Sequence, residues 1–528
     1  MLSEKYLDFS KLIIYQIYPR SFMDSNNDGI GDLGGIIQKL NYLKELGINA
    51  IWICPCYKSP NVDNGYDIAD YRDIMDEFGT MADMKKLIKE AHAREIKIIM
   101  DLVPNHTSSE HKWFLESKKS KDNPYSDYYY WFNEPPNNWN STFGGSAWEY
   151  CPERNQYYLH SFAVEQPDLN WTNPKVVKEM QDVVDFWVDL GVDGFRCDVI
   201  DQISKNFDGR NSFGPHLHEY INALLGRDKV SHIFTVGECW ADSIEEVCKH
   251  SAADRKELTT LFQFDHIRLG MTDNRYEPTD DNLTQVRDIL IYWQNVAYDK
   301  DLLYSLFTDN HDQPQFLSRL GDDKELRYES ATCIATMFYT LRGIPFIYQG
   351  QEFGTPKAHY DSIKDFNDIE SVNHYYKEVS KIGEADALRR INFGSRDNTR
   401  HPMCWNGNKY SGFSTVEPWL PIHSEYKNVN LEKDLMSEKS VFRFYKELLA
   451  LRSNTPAILY GGLNVLSKQE DRFFVFEREY EGEVFTVICN FEEESNIKIP
   501  SNAEKILSNY SEKADVFRPY EVVIYKNK

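Results

Sequence analysis

Apolar positions along the chain alternate between two periods. Residues 12–18 form a short run of strand type. Residues 34–46 then place Ile37, Leu40, Leu43 and Leu46 at helical spacing and stop at Gly47. Residues 48–54 predict a buried strand, 82–94 a helix carrying Met84, Leu87, Ile88 and Ala91, and 96–102 a third strand containing Asp101. The rhythm stops over residues 105–173, which hold aromatic clusters, prolines, glycines and asparagines but no long helical pattern. A stretch of about seventy residues without the repeat predicts an inserted subdomain, not a loop. The rhythm resumes at Pro174, a first-turn proline, and Val176, Val177, Met180, Val183, Val184 and Trp187 lead to Leu190-Gly191 and a strand over 192–197.

Further strands are expected over 232–236, 261–264, 303–307 and 344–348, with a helix over 329–342 closed by Gly343. Three helices are thus expected to end at Gly47, Gly191 and Gly343, each opening into a strand. About eight strands with helices between them predict a (β/α)8 barrel interrupted after its third strand. The competing doubly wound open sheet lacks its Gly-x-Gly-x-x-Gly fingerprint at the first βα junction. From Pro456 the pattern becomes alternating, over 472–476, 484–489 and 521–525, so an antiparallel, sandwich-like C-terminal domain is expected. The resulting division is barrel over 1–104 and 174–455, inserted subdomain B over 105–173, and β domain over 456–528.

The formal charge of -24 excludes the phosphate-neutralising chemistry of nucleic-acid binding and disfavours an anionic membrane surface. It suits a protein acting on neutral small molecules. Residues 1–20 hold no signal-peptide pattern, and the nine cysteines show no disulfide-type spacing, so reduced thiols in a cytoplasmic protein are expected.

Candidate chemistry gathers where the predicted strands stop. Arg196 and Asp198 lie two residues apart and so leave the same face of one strand. Asp101, Glu238, Asp309 and Asp312 follow other apolar runs. Carboxyl groups on neighbouring parallel strands lie about 5 Å apart. That is the separation at which a retaining glycosidase uses one carboxylate as nucleophile and the other as acid/base. Arg196 is expected to keep Asp198 ionised, and Glu238, in a drier site, to hold its proton. His106 and His311 are expected to donate to sugar hydroxyls. A metal reading of these histidines finds no His-x-x-x-His or Cys/His spacing to support it.

In this order the motifs resemble those of glycoside hydrolase family 13, the α-amylase family, and its oligo-1,6-glucosidase branch. The matching segments are Asp101 to His106, Gly194 to Asp198, Gly237-Glu238, Asn310-His311-Asp312, Gln166 to Asn170, Asn64-Gly65-Tyr66-Asp67 and Ser395 to Arg400. The resemblance implies Asp198 as nucleophile, Glu238 as acid/base and Asp312 as transition-state stabiliser. It implies substrate contacts from Tyr66, His106, Arg196, Val199, Trp240, His311 and Glu370, with Asp67 and Arg400 clamping the non-reducing glucose. Val199 after the nucleophile implies preference for α-1,6 over α-1,4 bonds. An α-1,4-glucosidase, a trehalose-6-phosphate hydrolase and a sucrose isomerase share the same acids. Non-catalytic barrel subunits of transporters have lost such acids and carry a membrane helix. Gln315 stands where relatives commonly have arginine, removing a cation from the expected cleft mouth, and Cys404 stands where they often have glutamine.

Residues 24–32 place oxygen side chains at alternate positions with glycine sixth, like the first nine positions of an EF-hand loop, but Gly35 fills the twelfth. The family resemblance implies a structural Ca2+ held by Asp24, Asn26, Asp28, the Ile30 carbonyl and Asp32, with Mg2+ as the alternative ion. A self-bonded Asx turn is the competing reading.

Overall fold

The computed structural model describes residues 3–499, 501–512 and 514–527. Eight strands form one parallel sheet: β1 (Ile14–Ile17), β2 (Ala50–Ile53), β3 (Lys97–Leu102), β4 (Gly194–Cys197), β5 (Phe234–Gly237), β6 (Thr260–Leu261), β7 (Ser305–Leu306) and β8 (Ile344–Tyr348). Their order is β6-β5-β4-β3-β2-β1-β8-β7. The eight intervening helices are α1 (Leu33–Leu46), α2 (Met81–His92), α3 (Pro174–Leu190), α4 (Leu217–Leu225), α5 (Ile244–Ser251), α6 (Leu283–Asp299), α7 (Arg327–Tyr339) and α8 (Val441–Ser453).

Alternate residues of each strand fall into two separate apolar clusters, the mark of a barrel packed inside and out. Ile14, Ala50, Trp52, Ile99, Phe234, Val236 and Phe346 fill the interior. Tyr15, Ile17, Ile51, Ile53, Ile98, Met100 and Phe195 pack against the helices. The remaining seam, between β6 and β7, has no strand ladder among the described residues. Two buried hydroxyls bridge it instead: Thr260 Oγ1 donates to the Leu303 carbonyl at 2.7 Å and Ser305 Oγ to the Leu261 carbonyl at 2.6 Å.

Local signals account for most helix ends. Thr80 and Asp83 form a capping box on α2, and Asn173 caps α3 with Pro174 in its first turn. Gly47 and Gly191 end α1 and α3 in the left-handed region, at φ 98° and 107°. Gly343 departs from the expected pattern, because α7 already stops at Tyr339. The Arg452 guanidinium donates to the carbonyls of Tyr339, at 2.9 Å, and Leu341, at 2.6 Å, so this helix end needs no glycine cap. Gly343 serves strand packing instead. A Cβ there would sit 2.2 Å from the Tyr304 carbonyl oxygen, at a φ of +147°.

The chain between β3 and α3 forms a short helix, Lys112–Ser117, and a three-stranded sheet of Trp131–Phe132, Trp148–Cys151 and Gln156–Leu159. Two antiparallel helices, Ile369–Ile382 and Glu384–Gly394, separate β8 from α8; the periodicity did not single them out. At the C-terminus the strands β9 (Gly462–Val465), β10 (Phe473–Tyr480), β11 (Glu483–Asn490), β12 (Ala503–Ser508) and β13 (Val522–Asn527) form one antiparallel sheet, ordered β9-β10-β11-β13-β12. The described residues there hold a single sheet, not the two of a sandwich. Its Phe474, Phe476, Val487 and Ile524 join the outer barrel core, so barrel helices take the place of the second sheet. Arg287 on α6 ties the two parts by donating to the carbonyls of Gln469 and Phe473 at 2.7 and 3.0 Å. Among the described residues, no helix is long and apolar enough to cross a membrane.

The hydroxyl bridges of the β6–β7 seam give a direct expectation. Thr260→Val with Ser305→Ala leaves two buried carbonyls short of donors and should lower stability by roughly 2–4 kcal/mol. Urea denaturation followed by tryptophan fluorescence measures this; an unchanged midpoint would show that the seam does not depend on them.

Candidate active site

The C-terminal ends of the strands carry a cleft of about 310 Å³, lined by Tyr66, His106, Asp198, Val199, Glu238, Trp240, Asp312 and Glu370 together with Asp63, Arg275 and Arg396. Thr142, Phe143 and Phe162 of the inserted segment wall one side.

At its floor lies Arg196, 3 % exposed. Its Nη1 donates to Asp101 Oδ1 at 2.9 Å and to Asp198 Oδ1 at 2.6 Å, and its Nη2 donates to Glu238 Oε2 at 2.5 Å. The register of β4 and β5 pairs Cys197 with Gly237, so Asp198 and Glu238 leave equivalent positions of adjacent strands. That places their backbones about 5 Å apart. One guanidinium fork therefore holds both carboxyl groups toward the cleft.

The charge balance differs from the sequence expectation. Burial pushes the Asp198 carboxyl well above the usual range; Arg196 opposes this, while Glu238 and Asp101 reinforce it. Burial likewise pushes Asp101 up to about 6. Arg196 favours the ionised form of Asp198, but three carboxyl groups share this one cation. Nor is Glu238 the drier of the pair: its side chain is 15 % exposed and that of Asp198 is 9 %.

Asp312 has the opposite setting. Burial pushes it up, but His311, Arg400 and Arg396 outweigh burial and hold it far below the carboxylate range. Arg400 Nη2 reaches Asp312 Oδ1 at 2.8 Å and Arg396 Nη1 lies 3.6 Å away. Burial lowers His311 to about 3, so at neutral pH it acts as a neutral donor. Its Nδ1 faces the Gln16 amide nitrogen at 2.8 Å, which leaves the proton on Nε2. Nε2 lies 3.1 Å from Asp312 and 2.6 Å from the Tyr66 hydroxyl, which donates to Asp101 at 3.1 Å. Tyr66 also stacks on His311, with centroids 5.4 Å apart. Gly65, at φ +99°, makes the turn that delivers Tyr66, and a Cβ there would meet the Pro55 carbonyl at 2.9 Å.

His106 is lowered to about 4 by burial. Its Nδ1 faces the Asn105 amide nitrogen at 3.1 Å, and Lys205 bonding to Asn105 Oδ1 at 2.9 Å fixes that amide's orientation. His106 is therefore neutral, with the Asn105 and Gln166 amide nitrogens facing its Nδ1 and Nε2 at 3.1 and 3.2 Å.

Val199 adopts φ 33° and ψ 47°, a left-handed conformation that a β-branched residue rarely takes. Such a residue costs about 1–3 kcal/mol and persists where its surroundings impose it. Trp240, 36 % exposed, is braced by Phe264 at 4.1 Å, with the Arg268 guanidinium 4.9 Å from its centroid. Glu370 lies 3.4 Å from Arg275 Nη1.

Two expected clamp residues are not among those lining the open cleft. Asp67 is fully buried and accepts the backbone N–H groups of Val62 and Asp63 at 2.9 and 3.0 Å. Asp63 lines the cleft, held by Gln166 Nε2 at 3.1 Å and 3.3 Å from Arg396 Nη2. Arg400 is also fully buried and acts on Asp312 from behind, donating to the His311 carbonyl at 2.8 Å. Arg396 is the arginine that lines the cleft, anchored on Asp368 at 2.6 Å. Each of these segments holds two residues of one charge type four positions apart, and spacing alone does not choose between them. Gln315 is buried in a separate internal cavity, so its identity says nothing about the cleft mouth. Arg275 supplies a cleft cation that no sequence motif marked.

The 24–32 loop fits a cation only in part. Asp24, Asn26 and Asp28 each accept a backbone N–H two residues on, at 3.1, 3.0 and 2.8 Å. Asp32 is spent elsewhere: it accepts from Ser25 N at 2.9 Å and caps α1 through Gly35 N at 2.7 Å. The three aspartates are not among the groups of the described residues whose ligand atoms converge within 4.8 Å of one another.

The family model for the α-amylase catalytic domain matches residues 16–461. The chain belongs to the α-amylase family. An oligo-1,6-glucosidase from Parageobacillus thermoglucosidasius is 42 % identical over 555 residues, covering 98 % of both chains. The structure of a mutant Bacillus licheniformis trehalose-6-phosphate hydrolase superposes with a TM-score of 0.93 at 38 % identity, covering 98 % of this chain and 100 % of that one. A mutant isomaltulose synthase from Erwinia rhapontici NX5, in complex with its natural substrate sucrose, gives 0.93 at 39 % identity, covering 98 % and 99 %. This α-amylase-family chain is a glycoside hydrolase by that membership, and its three matched acids all reach one cleft.

Several buried carboxyls predict a pH dependence of stability. Burial raises Asp63, Asp101 and Asp397 to about 6 and Asp201 and Glu352 to about 7. In the unfolded chain such groups titrate near 4, roughly. A raised carboxyl contributes stability that is fully present below its unfolded pKa and lost as pH rises through its folded pKa. The melting temperature should therefore be higher at pH 6 than at pH 8. Scanning calorimetry that gave the reverse order would show that these groups do not govern the slope.

Proposed function

We propose that the protein is a retaining, exo-acting α-glucosidase that releases glucose from the non-reducing end of short α-glucosides, with preference for α-1,6 bonds of the isomaltose type. The observation that carries this reading is the Asp198–Arg196–Glu238 arrangement, a carboxyl pair on equivalent positions of adjacent strands held by one guanidinium, the layout a double displacement uses. In the reactive form Glu238 holds the pair's proton and Asp198 is ionised. Asp198 attacks C1 as the glycosidic C–O bond breaks, and Glu238 gives its proton to the departing oxygen. Glu238 then removes a proton from water, which displaces Asp198 and restores the original anomeric configuration. Asp312, ionised between two arginines, stabilises positive charge at C1, and His106 and His311 orient ring hydroxyls.

The Asp63–Arg396 pair joins the loop after β2 to the segment after β8, supporting a cleft closed at one end and cleavage of one unit at a time. Glu370 lines the cleft and pairs with Arg275 at 3.4 Å, which leaves that cation less free for an anionic aglycone. Val199 borders the cleft beside Glu238 and supports the α-1,6 preference. The nine unpaired thiols, eight of them buried, support a reducing, cytoplasmic setting.

Isomaltose, maltose, trehalose-6-phosphate and sucrose assayed side by side test the substrate. Isomaltose should be hydrolysed fastest, with α-glucose as the first product by NMR, and Val199→Thr should shift the ratio toward maltose by up to about tenfold. Asp198→Asn should lose at least about 10⁴-fold in kcat, the scale of losing a nucleophile. Brisk maltose hydrolysis without isomaltose hydrolysis would overturn the linkage preference.

We also propose that the 24–32 loop takes Ca2+, or Mg2+ in its absence, through Asp24, Asn26, Asp28 and the Ile30 carbonyl, with Asp32 as helix cap. Chelation by EDTA should lower the melting temperature by a few degrees, and Ca2+ should restore it. An unchanged melting temperature would leave the loop held by its Asx turns alone.

A further inference from the structure

Behind the cleft, the segment that carries Arg396 and Arg400 runs on into His401, Cys404 and, nineteen positions later, His423. These three residues are 4, 0 and 1 % exposed. One ligand-type atom from each lies within 4.8 Å of the other two.

Their hydrogen bonding leaves lone pairs unused. His401 Nδ1 donates to the Pro402 carbonyl at 3.1 Å, so its Nε2 holds the lone pair, and that atom has no hydrogen-bond partner. Neither ring nitrogen of His423 has one. A buried imidazole with nothing on either nitrogen is a standing cost, which a bound cation would relieve at one of the two. A ligating histidine normally donates its other N–H to a carbonyl, as His401 does. Burial lowers His401 to about 4 and His423 further, so both stay neutral, the form that ligates. Burial raises the Cys404 thiol to about 12, so a cation entering must displace its proton. The carbonyls of Pro402 and Pro356 also act on His401. A second cluster, His218, His250 and Glu257, is different: His218 already spends both nitrogens on Glu257 and Glu246, at 2.9 and 3.0 Å.

We propose that His401, Cys404 and His423 form a binding site for a thiophilic d10 cation, Zn2+ or Cu+. Two imidazoles and one thiolate are the donor set these ions select over Ca2+ or Mg2+. Binding replaces the S–H bond of Cys404 with a metal–sulfur bond and releases one proton to solvent. The bound ion ties the segment after Arg400 to the loop ending at His423. Ser21 already pins that segment, donating to the Arg400 carbonyl at 2.5 Å and accepting from Met403 N at 2.8 Å. The role is a clamp that keeps Arg396 and Arg400 against Asp63 and Asp312.

The full chain, stripped by chelation and desalted, is offered Zn2+, Co2+ or, under anaerobic reduction, Cu+ against a competing Cu+ chelator. One equivalent should be retained, and Co2+ should show a thiolate-to-metal charge-transfer band that the 24–32 loop, lacking sulfur, has no means to produce. Zn2+ should raise the melting temperature by roughly 2–4 °C. The tighter of the Zn2+ and Cu+ arms identifies the ion. Cys404→Ser and His423→Gln should each lose the band and at least about a hundredfold in affinity. Should both variants fail to fold, the wild-type spectrum decides. No retained cation in any arm, or Co2+ bound without a sulfur band, overturns the proposal.

Discussion

The cleft is organised by the burial of one guanidinium. A cation withdrawn from water must be met by charge and hydrogen bonds, or the fold loses several kcal/mol, roughly. Arg196 is met by carboxyl groups that follow or end three adjacent strands, Asp101, Asp198 and Glu238. Each of those acids is in turn buried and needs the guanidinium. The four groups stabilise one another only in this arrangement, and the parallel register of β3, β4 and β5 brings them together. The precision with which the carboxyl pair faces the cleft is thus a property of the barrel, not of any loop.

The two kinds of carboxylate in the site differ in the number of cations each commands. Arg196 is divided among three acids, so Asp198 sits well above its ordinary pKa. Asp312 has Arg400 and Arg396 on one oxygen and the His311 N–H near the other, and it stays ionised. A carboxyl pair on one shared cation beside a third acid held ionised by two arginines is the electrostatic pattern that proton transfer and charge stabilisation require together. The neutral chain from Gln16 through His311 and Tyr66 to Asp101 joins the two regions without adding charge.

The elements outside the barrel serve this layout. The inserted segment contributes Phe143 under the Arg396 guanidinium at 5.0 Å, and its Gln166 holds Asp63. Asp168 pairs with the buried Lys205, which fixes the Asn105 amide beside His106. The segment from Ser395 to Cys404 is the one whose placement matters most, because it supplies both arginines from a single stretch of chain. Its attachments to Ser21 and to the histidine–cysteine cluster lie on the side away from the substrate.

The sequence alone determined the barrel, the interruption after its third strand and the three acids. Hydrophobic period, cap residues and strand-end carboxylates are local patterns, and local patterns survive without coordinates. Arg196 and Asp198 share a strand face because two residues of a strand always do. The tertiary structure decided the rest, wherever two residues were locally equivalent or their partners came from distant segments. Asp63 rather than Asp67, and Arg396 rather than Arg400, face the cleft because each segment turns only one of its two charges inward. Asp198 is the more buried of its pair, Gln315 lies in another cavity, and Arg275 enters from an irregular segment. The C-terminal sheet stays single because barrel helices cover the face that a second sheet would otherwise bury.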